Sequence, residues 1–299
     1  MTAALEATAL SKRFHRVWAL RDCSVQVPAG HITALVGPNG AGKTTLLNLA
    51  IGLLAPSAGA IETLGWDPQR QPERVLERVG YVPQERPLYP DFTVGETLHM
   101  GRALNPRWDE AATRSRLLRR GIPVDRRVRD LSGGQRAQVS LALALGKRPE
   151  LLLLDEPAAA LDPLARRELL TELVETVAAD GTTVLLSSHL IADVERVCDH
   201  LVILSQGRVQ LAGDIDALRE QHRLLVGPRM DPAVAAADPA VVSARHAGRE
   251  TALLVRRDGA TPPAGWRSEP VSLEELVLAY LANPAAGAPP PPTLVEAAS

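Results

Sequence analysis

Residues Gly37-Pro38-Asn39-Gly40-Ala41-Gly42-Lys43-Thr44 spell GxxxxGK[ST], the spacing of a loop that wraps phosphate groups. Glycines at the bends let backbone N–H groups come close to oxyanions, and a helix starting at the loop adds the positive end of its dipole. Lys43 is then placed to reach β- and γ-phosphate oxygens, and Thr44 to offer its hydroxyl to Mg²⁺. Thr45, one residue further along, belongs to the same expected nucleotide-binding set. Lys43 is one of only three lysines in 299 residues; the other cations are nearly all arginine. A compact ammonium fits between phosphate oxygens inside a tight loop, whereas a planar guanidinium prefers a bidentate fork. The chain is therefore expected to bind a nucleoside triphosphate.

Two carboxylates stand where such a phosphate needs them. The apolar run Leu151–Leu154 closes on Asp155 and Glu156, and a buried strand ending in two acids delivers both to the carboxyl edge of a sheet, where ligands of α/β proteins sit. Asp155 is positioned to hold Mg²⁺, directly or through water. Glu156 is the candidate general base for an attacking water, or at least the group that polarises it. The competing reading makes both acids caps of a helix after Pro157. A second anion-binding candidate is Leu131-Ser132-Gly133-Gly134-Gln135, ahead of a helical run over 136–145. A serine and two glycines at a helix start expose N–H groups along the dipole, and they also read as an ordinary N-cap.

The elements that must hold these residues follow from the apolar pattern. A strand over 31–36 and a helix over 44–54 flank the glycine loop, in the order that phosphate binding requires. Two strands, over 4–10 and 20–27, precede it. Residues 98–121 are helix-like and Arg-rich, with an interruption at Asn105-Pro106. Strands over 151–154, 182–187 and 201–204 then alternate with helices over 163–178 and 191–197, which means a parallel α/β sheet. Beyond Gln221 the pattern weakens to two strands (224–226, 252–255) and a helix over 273–281, followed by a Pro-rich run over 284–292 that is not expected to pack.

Leu131-Ser132-Gly133-Gly134-Gln135 (LSGGQ) and the four apolar residues closing on Asp155-Glu156 about twenty residues later together resemble the ATP-binding cassette (ABC) family, over most of residues 1 to about 220. The resemblance implies an α/β fold: a P-loop NTPase core with a mainly parallel sheet, an N-terminal antiparallel β subdomain and a small helical signature subdomain at about 85–148. Residues 221–282 would add a small C-terminal α+β accessory domain, and 283–299 a disordered tail. ATP and Mg²⁺ are the implied ligands. Gln84, in Tyr81-Val82-Pro83-Gln84, would be the glutamine that senses Mg²⁺ and the attacking water. His189, in Ser187-Ser188-His189, would be the switch histidine on the γ-phosphate. Phe14 resembles the aromatic that stacks on adenine, with Trp18 as a rival. Asp162 resembles the D-loop residue that touches the opposite subunit, a role compatible with an N-cap before Pro163. The preceding Ala158-Ala159-Ala160 departs from relatives that carry Thr or Ser there, so a hydroxyl contact is absent. In this family the signature of one cassette closes over the ATP of another. The implied unit is a homodimer or heterodimer with two ATP sandwiched head to tail, Lys43, Thr44, Gln84, Asp155, Glu156 and His189 facing Ser132, Gly133 and Gly134 of the partner subunit.

Bulk properties narrow what this motion drives. A formal charge of −2 and 45% apolar content describe a globular chain with no basic field, so no nucleic-acid partner is expected. Cys23 and Cys198 have neither metal-ligand spacing nor disulfide density, which fits core positions in a reducing cytosol. No leader-like segment and no run of about 18 apolar residues occurs, so the resemblance implies an ATPase subunit on the cytoplasmic face of the membrane, bound to separate integral-membrane permease subunits. Residues 272–278 resemble the closing helix of drug- and antibiotic-exporting cassettes, and Asn105-Pro106-Arg107-Trp108-Asp109 is similar to one exporter branch, which implies export. A mechanical ATPase acting on DNA or ribosomes would carry a long coiled-coil insertion, or two cassettes with a basic linker, and neither is present. A kinase or GTPase would leave LSGGQ and His189 unexplained, and there is no NKxD motif.

Overall fold

A computed structural model describes residues 2–85, 87–159, 161–231, 234–235, 238, 240–256 and 264–283. The chain opens as a long hairpin of β1 (Ala3–Phe14) and β2 (Val17–Pro28), longer at the turn end than the apolar pattern predicts. β3 (Ile32–Val36) leads through the glycine loop into α1 (Lys43–Ala50), which turns off at Ile51 and Gly52, short of the expected 54. β4 (Ala58–Thr63) returns to pair with β1, completing an antiparallel sheet of order β2-β1-β4.

After α2 (Pro72–Arg78) and β5 (Val79–Val82) comes the helical part. The helix-like stretch over 98–121 is two helices, α3 (Val94–Leu104) and α4 (Glu110–Arg119), started by a Thr93/Glu96 capping box and by Asp109 respectively. Between them Trp108 packs where Gly101 and Gly146 carry no side chain; a Cβ on either would lie within 2.8 Å of its ring. The second of these glycines ends α5 (Gly133–Gly146), which follows a short 3-10 turn at Val128–Asp130.

The central sheet then assembles from β6 (Leu151–Leu154), α6 (Pro163–Asp180), β7 (Thr183–Ser188), α7 (Ile191–Val197), β8 (His200–Ser205) and β9 (Arg208–Asp214). Its order is β5-β6-β7-β3-β8-β9, parallel except for the edge strand β9. All four leucines of β6 are buried, as a parallel strand covered on both faces requires. Leu35, Leu151, Leu153, Leu185 and Val202 point to one layer with Leu46 and Leu47 of α1 and the antiparallel sheet. Leu152, Leu154, Val184 and Leu186 point to the other, against Leu141 of α5 and Leu169 and Leu173 of α6.

Beyond α8 (Ile215–Glu220) lie four antiparallel strands, β10 (His222–Pro228), β11 (Val241–Ala247), β12 (Glu250–Arg256) and β13 (Arg267–Pro270), in the order β11-β12-β10-β13. The closing helix α9 (Leu273–Ala282), started by a Ser272/Glu275 capping box, does not stay with them alone. Its Leu273, Leu276, Val277 and Tyr280 share one cluster with Ala34 and Val36 of β3 and Leu201 and Ile203 of β8. His222 is fully buried at the junction, with Nδ1 2.6 Å from the Leu218 carbonyl and Nε2 2.8 Å from the Tyr280 hydroxyl. The strands after Gln221 thus form a sheet of their own, while the last helix packs on the phosphate-loop strand. The Pro-rich run over 284–292 and the tail as far as 299 lie outside the described residues. Cys23 is buried and Cys198 half-buried, both as free thiols, and burial pushes both thiols up. Among the described residues no helix is long and apolar enough to cross a membrane.

Leu276 is fully buried in this shared cluster. Leu276→Ala should lower unfolding stability by about 2–5 kcal/mol, read as a shift of the urea midpoint.

Candidate nucleotide-binding site

The glycine loop is shaped by close backbone approaches. A Cβ on Gly37 would stand 2.1 Å from the Leu204 carbonyl oxygen. Gly42, at φ 108, would place one 2.5 Å from the Ala19 carbonyl oxygen, so neither position accepts a side chain. Pro38, Asn39 and Gly40 are exposed on the outer side, while Ala41 is buried and accepts a hydrogen bond from the Gly207 N–H at 3.1 Å. Lys43 opens α1 and is 6% exposed. Its ammonium donates to the Gly37 carbonyl at 2.7 Å and the Pro38 carbonyl at 3.3 Å, and lies 3.3 Å from Glu156 Oε1. The charge is thus held at the mouth of the loop. Thr45 follows, half-buried in the first turn of α1.

The acids arrive from β6. Asp155 donates its N–H to the Val82 carbonyl at 2.9 Å, and its carboxylate accepts twice: Oδ2 from the Thr44 hydroxyl and Oδ1 from the Ser187 hydroxyl, each at 2.7 Å. Glu156 takes a left-handed φ of 48, uncommon for a residue with a Cβ. Its Oε2 lies 2.7 Å from His189 Nδ1, within hydrogen-bond distance. The helix-cap alternative for these acids does not hold. The next helix, α6, starts at Pro163 and is capped by Asp162, whose Oδ1 accepts from the Leu164 and Ala165 N–H groups at 3.0 and 2.9 Å. Beside the acids, burial and then the Asp155 charge push the Tyr81 phenol up to about 12, so Tyr81 stays protonated and donates to Asn48 at 3.1 Å.

Lys43, Thr44, Asp155, Glu156 and His189 therefore meet at one sheet edge, from positions scattered across the sequence. Ser187, the residue that ties the two acids together, is missed by a sequence reading that takes it for the end of a strand. The only signal for it is a hydroxyl closing an apolar run next to His189. Other expected residues lie apart from this junction. Gln84 is exposed just beyond β5. Phe14 and Trp18 are each 42% exposed near the hairpin turn, with Lys12 Nζ 5.2 Å from the Phe14 ring centre and Arg13 5.4 Å from that of Trp18. Ser132 and Gln135 form a reciprocal capping box on α5, at 3.1 and 3.0 Å. Gly134 faces Leu161 of the loop before α6, 3.7 Å from where its Cβ would be. Ala160 of that loop lies outside the described residues. Among the described residues no hydrogen bond joins Ser132, Gly133 or Gly134 to the phosphate loop.

The donors fit the expected ligands. The loop offers backbone N–H groups, a helix start and one ammonium to phosphate. Thr44 and Asp155 offer the hard oxygens that Mg²⁺ prefers. Among the described residues no group of three or more His, Cys, Asp or Glu could hold a metal, so a cation here would complete its shell with phosphate oxygens and water.

A strand, a glycine loop and a helix, with two acids arriving from a nearby parallel strand, define a phosphate-loop NTPase of the α/β class. Within that class the chain belongs to the ABC transporter family, as an ATP-binding protein. The family described as ABC transporter matches residues 20–159. The Nod factor export ATP-binding protein I of Cupriavidus metallidurans is 39% identical, over 70% of this chain and 70% of its own length. The ABC transporter ATP-binding protein YtrB of Bacillus subtilis is 29% identical, over 92% of this chain and 97% of its own, so the likeness extends through the C-terminal sheet. A solved structure described as the ATP binding subunit of an ABC transporter superposes with a TM-score of 0.66 at 34% identity, covering 74% of this chain and 93% of its own.

Lys43→Ala removes the one ammonium at the loop. ATP affinity measured by calorimetry should fall on the order of 100-fold, the size of a lost charge-assisted hydrogen bond.

Proposed function

We propose that this chain is the ATP-hydrolysing subunit of a membrane exporter, working as a head-to-tail dimer beneath separate permease subunits. The observation that carries the reading is the position of Glu156: a buried carboxylate at the carboxyl edge of the sheet, between Lys43 and His189, where the γ-phosphate of ATP seated on the loop would arrive. The chain is an ATPase. Lys43 binds the β- and γ-phosphate oxygens, Phe14 or its rival Trp18 stacks on adenine, and Thr45 and the loop residues from Gly37 to Thr44 surround the phosphates. Glu156 orients a water toward the γ-phosphorus and accepts its proton. The new P–O bond forms as the bond to the β–γ bridging oxygen breaks, leaving ADP and phosphate. His189 steadies the γ-phosphate, and Gln84 follows the state of the site from its exposed loop. Thr44 and Asp155, with Gln84 as the further expected ligand, would hold Mg²⁺, which would supply charge neutralisation on the phosphate oxygens when bound.

Support for the dimer comes from the signature element. Ser132, Gly133, Gly134 and Gln135 present a helix start without bonding to their own phosphate loop, which suits a second cassette's ATP. Asp162 follows Leu161, whose side chain lies beside Gly134. Loss of the bridging γ-phosphate then releases the clamp. Support for the permease comes from a groove of about 350 Å³ lined by Glu85, Leu88, Pro90, Val128, Arg129 and Arg136, with Gly133 of the signature at its wall. The aromatic pair Tyr89 and Phe92 is exposed next to it, ring centres 5.0 Å apart. A permease segment seated there would touch the loop after Gln84 and the signature helix together. The likeness to a Nod factor export protein supports the export direction, and the location is the cytoplasmic face of the membrane. No nucleic acid takes part.

Glu156→Gln should bind ATP yet hydrolyse at least about 100-fold more slowly, and with ATP should run as a dimer in size exclusion. Adding Ser132→Arg to that variant should return it to a monomer that still binds ATP on its own phosphate loop. A Glu156→Gln chain hydrolysing at the wild-type rate would remove Glu156 from its role, and a dimer untouched by Ser132→Arg would remove the signature from the interface.

A further inference from the structure

We infer that Ser187 is a positioning residue that sets both acids of the site, fixing the Asp155 carboxylate through its hydroxyl proton and the Glu156 backbone through its lone pair. The inference rests on the ATPase reading above. Ser187 lies near the end of β7, and β7 runs between the phosphate-loop strand β3 and the acid-bearing strand β6, with Leu35 opposite Ser187 and Leu154 opposite Leu186. It is fully buried. A serine hydroxyl has one proton to give, and here its direction is forced. The partner at 2.7 Å is a carboxylate oxygen, Asp155 Oδ1, which can only accept; the partner at 2.8 Å is the Glu156 N–H, which can only donate.

Each half of this arrangement has a consequence for the chemistry. Asp155 is gripped at both oxygens, by Ser187 on Oδ1 and by Thr44 on Oδ2. Its carboxylate plane is therefore preset, and cannot turn without breaking two charge-assisted hydrogen bonds. The second half concerns the turn after β6. Asp155 makes the last ladder-like bond, to Val82, and the chain then leaves the sheet with Glu156 at φ 48. A buried N–H there needs an acceptor, and Ser187 supplies it where the strand ladder has ended. That turn sends the Glu156 side chain back toward Lys43 and His189. The neighbouring Ser188 has no such role, because its hydroxyl is used locally, accepting from the Leu190 N–H at 3.0 Å. One side chain thus couples the residue that would hold the cation to the residue that takes the proton, and both to the strand that carries His189.

The test uses the full chain with Ser187→Ala, Ser187→Thr and Ser187→Val. Three quantities are measured: kcat and KM for ATP with Mg²⁺, the affinity of the ATP-loaded protein for Mn²⁺ by electron paramagnetic resonance, and ATP affinity in EDTA. Ser187→Ala and Ser187→Val should lower kcat between about 10- and 100-fold, the effect of one hydrogen bond to a charged group, and weaken Mn²⁺ binding at least about fivefold. ATP affinity in EDTA should stay within about twofold, which also reports that the phosphate loop is folded. Ser187→Thr keeps the hydroxyl and should recover kcat and Mn²⁺ affinity to within about threefold of wild type. Wild-type kcat and Mn²⁺ affinity in Ser187→Ala would overturn the assignment. So would a Ser187→Thr chain as impaired as Ser187→Val, since that result makes the space and not the hydroxyl matter. A wild-type chain that hydrolyses no ATP would overturn the ATPase reading instead, and the Mn²⁺ comparison would still decide whether Ser187 holds Asp155.

Discussion

Lys43 and Glu156 are 6% and 8% exposed, and either charge taken out of water alone would cost several kcal/mol. They are tolerable because they are buried together, 3.3 Å apart. The ammonium has two loop carbonyls besides, and the carboxylate has His189. The rest of the molecule is constrained by this junction. Residues 43, 156 and 189 belong to three separate crossovers, and they reach one edge because β3, β6 and β7 run parallel, with their carboxyl ends on the same side. The same arrangement suits a polyanion: a phosphate arriving at the loop meets a cation already desolvated and preset, with a carboxylate behind it where a water could be turned.

Holding that edge steady is the work of the two layers. Neighbouring residues along β3, β6, β7 and β8 point alternately to the antiparallel sheet with α1 and to the helices, so each strand is pinned from both faces. The helical layer is divided between two sources. Helices α5 and α6 cover β6 and β7, whereas α9, from the far end of the described chain, covers β3 and β8. The C-terminal strands are thereby tied to the strand that feeds the phosphate loop, although they stand apart from the nucleotide edge. Helix α6 has a second role, since its Glu172 is buried against Arg116 and Arg120 of the α4 region, joining the helical part to the core by ion pairs.

Legibility followed the physics of each segment. The helix Ile191–Val197 has the bounds the pattern predicts. The strand over 151–154 does too, because an unbroken buried run between polar or turn residues has few alternatives. The helix over 98–121 divides because Asn105-Pro106 cannot continue it and Asp109 starts another. β4, β11 and β13 escape a sequence reading for a different reason. Their burial patterns are mostly exposed, with every residue of β13 open to solvent, so no apolar period marks them as strands. They pair because neighbours present free edges, which is not a local property.

The same division runs through the site. By itself the sequence determined the glycine loop, the acid-ended strand, LSGGQ and the order strand, loop, helix. Those demands are made on neighbouring residues: left-handed bends without a Cβ, a helix start, an apolar run closed by charge. Only the tertiary structure decided that β7 lies between β3 and β6, and with it that Ser187 touches Asp155 and Glu156, that His189 reaches the glutamate, and that the acids are not helix caps. Strand order is settled by how distant apolar faces share two layers, and residues scores of positions apart carry no mark of which strand will lie between them.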